Sequence, residues 1–140
     1  MGKVVVCPFD PEYVTGEGAA SRDEFRIWLV DNGDSFSYSL TTAQTGDVIV
    51  FAWKDEPGKW TMISDAIVKT NHAAGSKGCV CDPTKDRKFA RHILTGGLRL
   101  YPRTVSSGEM KLNLGRFVDL AEKQYLGLLE LSVDHWRERL

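Results

Sequence analysis

Apolar residues in this chain recur mostly with the two-residue period of strands. The clearest case lies between Thr45 and Val68. There Val48, Val50 and Ala52 alternate with Ile49, Phe51 and Trp53, so the two sets point to opposite sides of a strand. Pro57-Gly58 supplies the fixed and the permissive residue of a turn, and Trp60 to Thr70 continues extended, which predicts a hairpin. Lys3 to Pro8 is β-branched and reads as a buried first strand. His92 to Tyr101 reads as a strand pair or one bulged strand, because Gly96-Gly97 interrupts it. Asp10 to Ala20 and His72 to Lys88 are polar and glycine-containing, and read as loops.

Helical spacing shows in two places. From Ser21 to Gly33, Phe25, Trp28 and Leu29 share a helical face, and Ser21 with Glu24 has capping-box spacing. The same stretch also alternates at Phe25, Ile27 and Leu29 and ends in Asn32-Gly33, a hairpin signal. Two end signals agreeing with the apolar spacing favour the helix. From Asp119 to Leu131, an opening Asp with Glu122 three residues on precedes a stripe of Ala121, Tyr125, Leu128 and Leu129, which Val133, Trp136 and Leu140 extend. Strands in the middle with helices early and late predict an α+β fold around a mainly antiparallel, curved sheet or small barrel.

Composition narrows the class. The chain has 140 residues, 42% hydrophobic and 26% charged, and no repeat or linker, which predicts a single domain over residues 1–140. No apolar run approaches the ~18 residues of a membrane span, and the start lacks a signal-peptide pattern. The cysteines are Cys7, Cys79 and Cys81; an odd count without an export signal predicts reduced thiols in a cytoplasmic or nuclear setting.

Metal and catalytic chemistry find little support. His72, Cys79, Cys81 and His92 are metal-capable, but Cys-x-Cys and widely separated histidines match no familiar ligand spacing, so neither a metal nor a cofactor is expected. Nucleophile-elbow, zincin, Walker and dinucleotide motifs are all missing, so no catalytic residue stands out and a binding module is expected rather than an enzyme. The charge distribution says more. Lys85, Arg87, Lys88, Arg91, Arg99 and Arg103 surround the single acid Asp86, a local excess of +5 in a chain whose total is −1. Such a run can neutralise phosphates, or it can be a solvated loop paired with acids elsewhere. Trp28, Trp53, Trp60 and Trp136, with Phe36, Tyr38 and Tyr101, exceed what a small core needs. Trp136 falls at helical packing spacing, Trp60 fits core or pocket, and Trp53 ends its strand, where an aromatic can stack a flat ligand or fill the core.

The order of these pieces resembles the EVE domain of the PUA-like superfamily. The resemblance rests on Gly46-Asp47-Val48-Ile49-Val50-Phe51 and its partner Ile63-Ser64-Asp65-Ala66-Ile67-Val68. Further matches are Asp82-Pro83-Thr84-Lys85, Tyr101-Pro102-Arg103-Thr104-Val105-Ser106, Leu114-Gly115-Arg116 and the helix from Asp119. It spans roughly residues 45–131; the first strand and Ser21 to Trp28 depart from the family pattern. The resemblance implies a PUA-like fold and recognition of a modified base such as 5-methylcytosine, flipped from DNA or RNA. It implies that Trp53, with Trp28, Trp60 and Phe51, stacks the base and that Asp47, Ser64 or Asp65 contacts its edge. Lys85, Arg87, Lys88, Arg91, Arg99 and Arg103 would meet the backbone. Nucleic acid is then the partner, without a membrane, alongside an effector protein or nuclease. A small nucleic-acid-processing enzyme and a protein-interaction subunit are the competing readings.

Overall fold

The structure, a computed structural model, describes residues 2–9, 21–38, 43–56, 58–73, 91–112 and 118–133. Nine elements run in the order β1 (Val4–Phe9), α1 (Arg22–Asn32), β2 (Ser35–Tyr38), β3 (Val48–Glu56), β4 (Lys59–Ala73), β5 (Arg91–Ser106), α2 (Ser107–Met110), β6 (Val118–Leu120) and α3 (Glu122–Leu131) among these residues. The strands form one sheet in the order β2-β5-β4-β3-β1-β6. Among the described strands only β1 and β3 pair in parallel, from Val4↔Val48 to Phe9↔Trp53; the other pairs are antiparallel. The sheet is therefore mixed and open, an α+β architecture, and the barrel alternative is not realised among the described residues.

The central strands are buried on both faces, which explains why β1 and β3 are almost continuous runs of apolar residues. Alternation then divides the core in two. Val5, Cys7 and Phe9 join Ile49, Phe51 and Trp53 on one face, under Phe25, Trp28 and Leu29 of α1. Val4 and Val6 join Val48, Val50 and Ala52 on the other, under Tyr125 and Leu128 of α3. Burial pushes the Cys7 thiol far above its ordinary pKa, leaving a core sulfur rather than a reactive one.

Residues 22–32 form the helix, not the hairpin. Ser21 Oγ accepts the Glu24 N–H at 3.2 Å, and the Gly33 N–H closes the last turn on the Leu29 carbonyl at 2.8 Å. Gly33 keeps right-handed geometry, so the chain passes from α1 into β2 through residues 33–34 without the left-handed hairpin turn that Asn32-Gly33 suggested. β5 is one bulged strand: Asp65↔Arg99 is followed by Ile67↔Gly96, and Gly97 at φ +66° absorbs the extra residue.

One expectation is corrected at the last helix. Asp119 is not its cap; it lies in β6, opposite Val5, and α3 begins at Glu122. The Ala121 N–H is satisfied by Gln124 Oε1 at 2.8 Å instead. β1 offers an edge on its outer side, and pairing there engages Val118, Asp119 and Leu120, the last two of which the capping pattern assigned to the helix start.

The Gly46-Asp47 pair has a structural explanation. Gly46 takes φ +92°, and its N–H donates to the Val68 carbonyl at 2.9 Å. The Asp47 carboxylate then accepts the Lys3 N–H at 3.1 Å and the Gln44 N–H at 2.8 Å, tying the start of β1 to the turn before β3. Asp47→Ala leaves both donors without that acceptor and is expected to cost about 1–3 kcal/mol, read from the urea midpoint, with the slope unchanged.

Candidate nucleic-acid interface

The face beneath α1 concentrates aromatic rings. Phe9 lies at its centre, with ring centroids 5.2 Å from Phe25, 6.0 Å from Trp28 and 5.7 Å from both Phe36 and Phe51. Phe25 stacks on Trp28 at 5.8 Å and 19°, and meets Trp53 at 5.1 Å. Trp53 is only 4% exposed, so its ring is held inside this cluster. Two polar atoms are enclosed on this face. Trp28 Nε1 and Ser64 Oγ are buried and have no hydrogen-bond partner among the described residues. Ser64 stands opposite Phe51, next to a bulge that breaks the β4 register on both sides. An enclosed donor without an acceptor costs about 1–3 kcal/mol, and such atoms are where an incoming polar group gains most.

The opposite face carries a polar node. Asp65 Oδ2 accepts from Arg99 Nη2 at 2.7 Å, Tyr101 Oη at 2.8 Å and Tyr125 Oη at 2.9 Å. Arg99 Nη2 also donates to Tyr125 Oη at 3.1 Å, so β4, β5 and α3 meet through one carboxylate oxygen. Burial, reinforced by the Asp65 charge, pushes Tyr125 up to about 12 and pushes Tyr101 up as well.

Trp60 also faces this second side, despite its place beside Trp53 in the hairpin. It lines a cleft of about 440 Å³ with Asp55, Gly58, Lys59, Ser106, Ser107, Gly108, Lys111 and Leu112. Its backbone N–H donates to Ser107 Oγ at 3.1 Å, and Asp55 is engaged by the Thr61 hydroxyl and by Arg22.

The described cations of β5 are spread along the strand. Arg91 holds the Asn71 side chain at 2.9 Å and the Asn71 carbonyl at 2.8 Å. Arg99 is bound to Asp65, with about half of its side chain still exposed. Arg103 binds Glu109 and the Leu131 carbonyl, and pulls the Glu109 carboxyl below its ordinary range. Lys85, Arg87 and Lys88, and the cysteines Cys79 and Cys81, lie outside the described residues, as do Trp136 and the Leu114-Gly115-Arg116 element.

With this geometry in place, solved structures supply the comparison. Human THYN1, solved in complex with 5-methylcytosine-containing DNA, is 8% identical, with a TM-score of 0.60 over 95% of this chain and 99% of its own. A Pseudomonas syringae protein is 12% identical, with a TM-score of 0.57 over 93% of this chain and 99% of its own. A Pseudomonas putida protein is 10% identical, with a TM-score of 0.55 over the same shares. The fold is the PUA-like fold of EVE domains. No family model matches the sequence, and neither does any curated protein. The EVE-like fold is thus carried by backbone arrangement at identities where side-chain roles cannot be transferred.

On this PUA-like scaffold the nominated residues separate into three places. Trp53, Trp28, Phe51 and Ser64 share the aromatic face. Asp65 and Arg99 meet each other on the opposite face, where Trp60 lies near the cleft. Asp47 is occupied by backbone donors at the start of β3. Sequence reasoning did not nominate Tyr101 and Tyr125. Tyr125 reads as part of a helical packing stripe and Tyr101 only as one of the surplus aromatics, and only the register Asp65↔Arg99 places their hydroxyls around the carboxylate.

Proposed function

We propose that this chain is a nucleic-acid-binding module that reads a modified base, with 5-methylcytosine in DNA as the first candidate. The observation that carries the reading is the likeness, over 95% of the chain, to THYN1 solved with 5-methylcytosine-containing DNA. The aromatic face supports it chemically. A flipped base offers two π-faces for Trp53, Phe51 or Trp28, and its edge offers acceptors to Trp28 Nε1 and Ser64 Oγ. Because Trp53 is enclosed, the base enters only as the ring cluster parts, and the enclosed polar atoms gain partners as it does. Lys85, Arg87, Lys88, Arg91, Arg99 and Arg103 contact the phosphates, which position the strand without reading sequence. The module carries no catalytic role in this reading, and an effector or nuclease acts with it.

A binding panel tests the proposal. Fluorescence anisotropy with matched methylated and unmethylated duplexes and RNAs is expected to show a preference of roughly tenfold or more for one modified form, about 1.4 kcal/mol. Affinity is expected to fall linearly in log–log plots against salt. Lys88→Ala is expected to weaken modified and unmodified targets alike and to reduce the salt slope by about 1. Equal affinity for every target, or no binding at low salt, removes the reading.

A further inference from the structure

The cleft beside Trp60 lies on the face opposite the aromatic cluster, and its lining divides by chemistry. Trp60, 3% exposed, and the partly buried Leu112 give it apolar walls. Lys59 and Lys111 also line it and are exposed, which keeps both ammonium groups at its mouth. At about 440 Å³ it falls in the range of clefts that hold small molecules, about 300–1,000 Å³. The acids around it are engaged within the protein. Asp55 faces Arg22 at 3.4 Å and accepts from the Thr61 hydroxyl, Glu56 sits on Lys59 at 2.8 Å, and Glu109 is held by Arg103.

Two groups are left over. The Ser107 hydroxyl, 4% exposed, accepts the Trp60 backbone N–H, and its own proton has no acceptor among the described residues. Lys111 has no acid partner among those residues, and it holds φ +53°, a left-handed conformation where glycine is the ordinary choice. A lysine kept at such a position places a charge where backbone preference alone does not.

We propose that the cleft is a nucleotide site, with a phosphate held by the Ser107 hydroxyl and the Lys111 ammonium and the attached ring lying against Trp60 and Leu112. A phosphate oxygen accepts from both donors at once, and its charge strengthens each bond. Lys59 joins at little cost, because its exposed pair with Glu56 is weak. The apolar walls favour a phosphate that carries a ring over a bare anion, since only a body that covers them removes their surface from water. Such a nucleotide is either free or part of a strand, and the strand form rests on the base-reading proposal. Trp53 pairs with Thr61, next to Trp60, and the two tryptophans lie on opposite faces. A strand with one base on the aromatic face therefore carries a neighbouring nucleotide past the hairpin tip to the cleft.

The test follows the backbone amides of Gly58, Trp60, Gly108 and Lys111 by NMR in the full-length protein. The probes are 5′-CMP, cytidine, inorganic phosphate and a short unmodified DNA strand. Saturable shifts are expected with 5′-CMP, and cytidine and phosphate are each expected to bind at least roughly tenfold more weakly. Lys111→Gly removes the ammonium at a position that suits glycine. Its melting temperature is expected to match or exceed that of the wild type, while 5′-CMP affinity falls roughly tenfold. A DNA strand that shifts the same amides and is weakened equally by Lys111→Gly assigns the nucleotide to a strand. A strand unaffected by Lys111→Gly, with 5′-CMP binding lost, assigns it to free nucleotide. The proposal is overturned by no saturable shift at these amides, by cytidine or phosphate binding as tightly as 5′-CMP, or by undiminished binding in stable Lys111→Gly protein. The base-reading proposal fails separately, because its readout is the preference for a modified duplex, which Lys111→Gly leaves intact.

Discussion

Asp65→Ala is expected to lower the free energy of unfolding by about 3 kcal/mol, measured by urea denaturation at neutral pH. The figure follows from what each partner loses. Tyr101 is 1% exposed and donates to Asp65, so its hydroxyl loses that acceptor inside the core. Tyr125 loses the same acceptor but still receives the Arg99 hydrogen bond. Arg99 is about half exposed, so water replaces the carboxylate beside it while its bond to Tyr125 remains, and its charge adds less than a fully buried one. Asp65→Asn keeps an acceptor without the charge and is expected to cost about half as much. Tyr101→Phe, which removes donor and demand together, is expected to cost about 1 kcal/mol. The node also sets an alkaline limit. Tyr125 is raised to about 12 in the folded protein, against an ordinary value near ~10, so above ~10 the unfolded chain binds fewer protons than the folded one. Stability is therefore full below pH ~10 and falls as pH rises toward 12. Tyr125→Phe flattens that fall.

The fold was legible where one signal dominated. β1 and β3 are runs of Val, Ile and Phe that only a doubly covered strand explains, and α1 is marked by a cap and a face that agree. β2 and β6, of four and three residues, are too short for any period to show, and they form only because β5 and β1 offer edges. The candidate site was less legible because faces were decided by bulges. A plain two-residue turn would place Trp53 and Trp60 on the same side. The register instead runs Glu56↔Lys59, then Lys54↔Trp60, so one extra residue in β3 sends Trp60 to the opposite face. A second irregularity between Met62 and Ser64 restores the phase and turns Ser64 toward Phe51. Nothing in the residue types announces either step. Asp65 and Arg99 read as two separate functional residues for the same reason, since their pairing is visible only once β4 and β5 are in register.

Trp53→Ala is expected to cost about 3–5 kcal/mol, the usual penalty for emptying an aromatic site in a packed core. That is a large share of a typical stability of about 5–15 kcal/mol, so lost nucleic-acid binding by this variant does not separate a damaged pocket from a damaged fold. The enclosure of Trp53 against Phe25 makes conservative variants the decisive ones. Trp53→Phe keeps a ring and is expected to hold the fold at a cost of about 1–2 kcal/mol while weakening base stacking. Trp28→Phe is the sharper probe, because it removes Nε1, an enclosed donor with no acceptor among the described residues. The lost packing and the relieved donor offset each other, so its stability is expected to stay within about 1 kcal/mol of wild type. If the base edge accepts from that nitrogen, affinity for the modified duplex falls by roughly tenfold while affinity for unmodified DNA is unchanged. A stable Trp28→Phe protein that keeps its full preference would take the indole nitrogen out of recognition. The fold and the phosphate contacts would remain, and Ser64 would become the residue to test next.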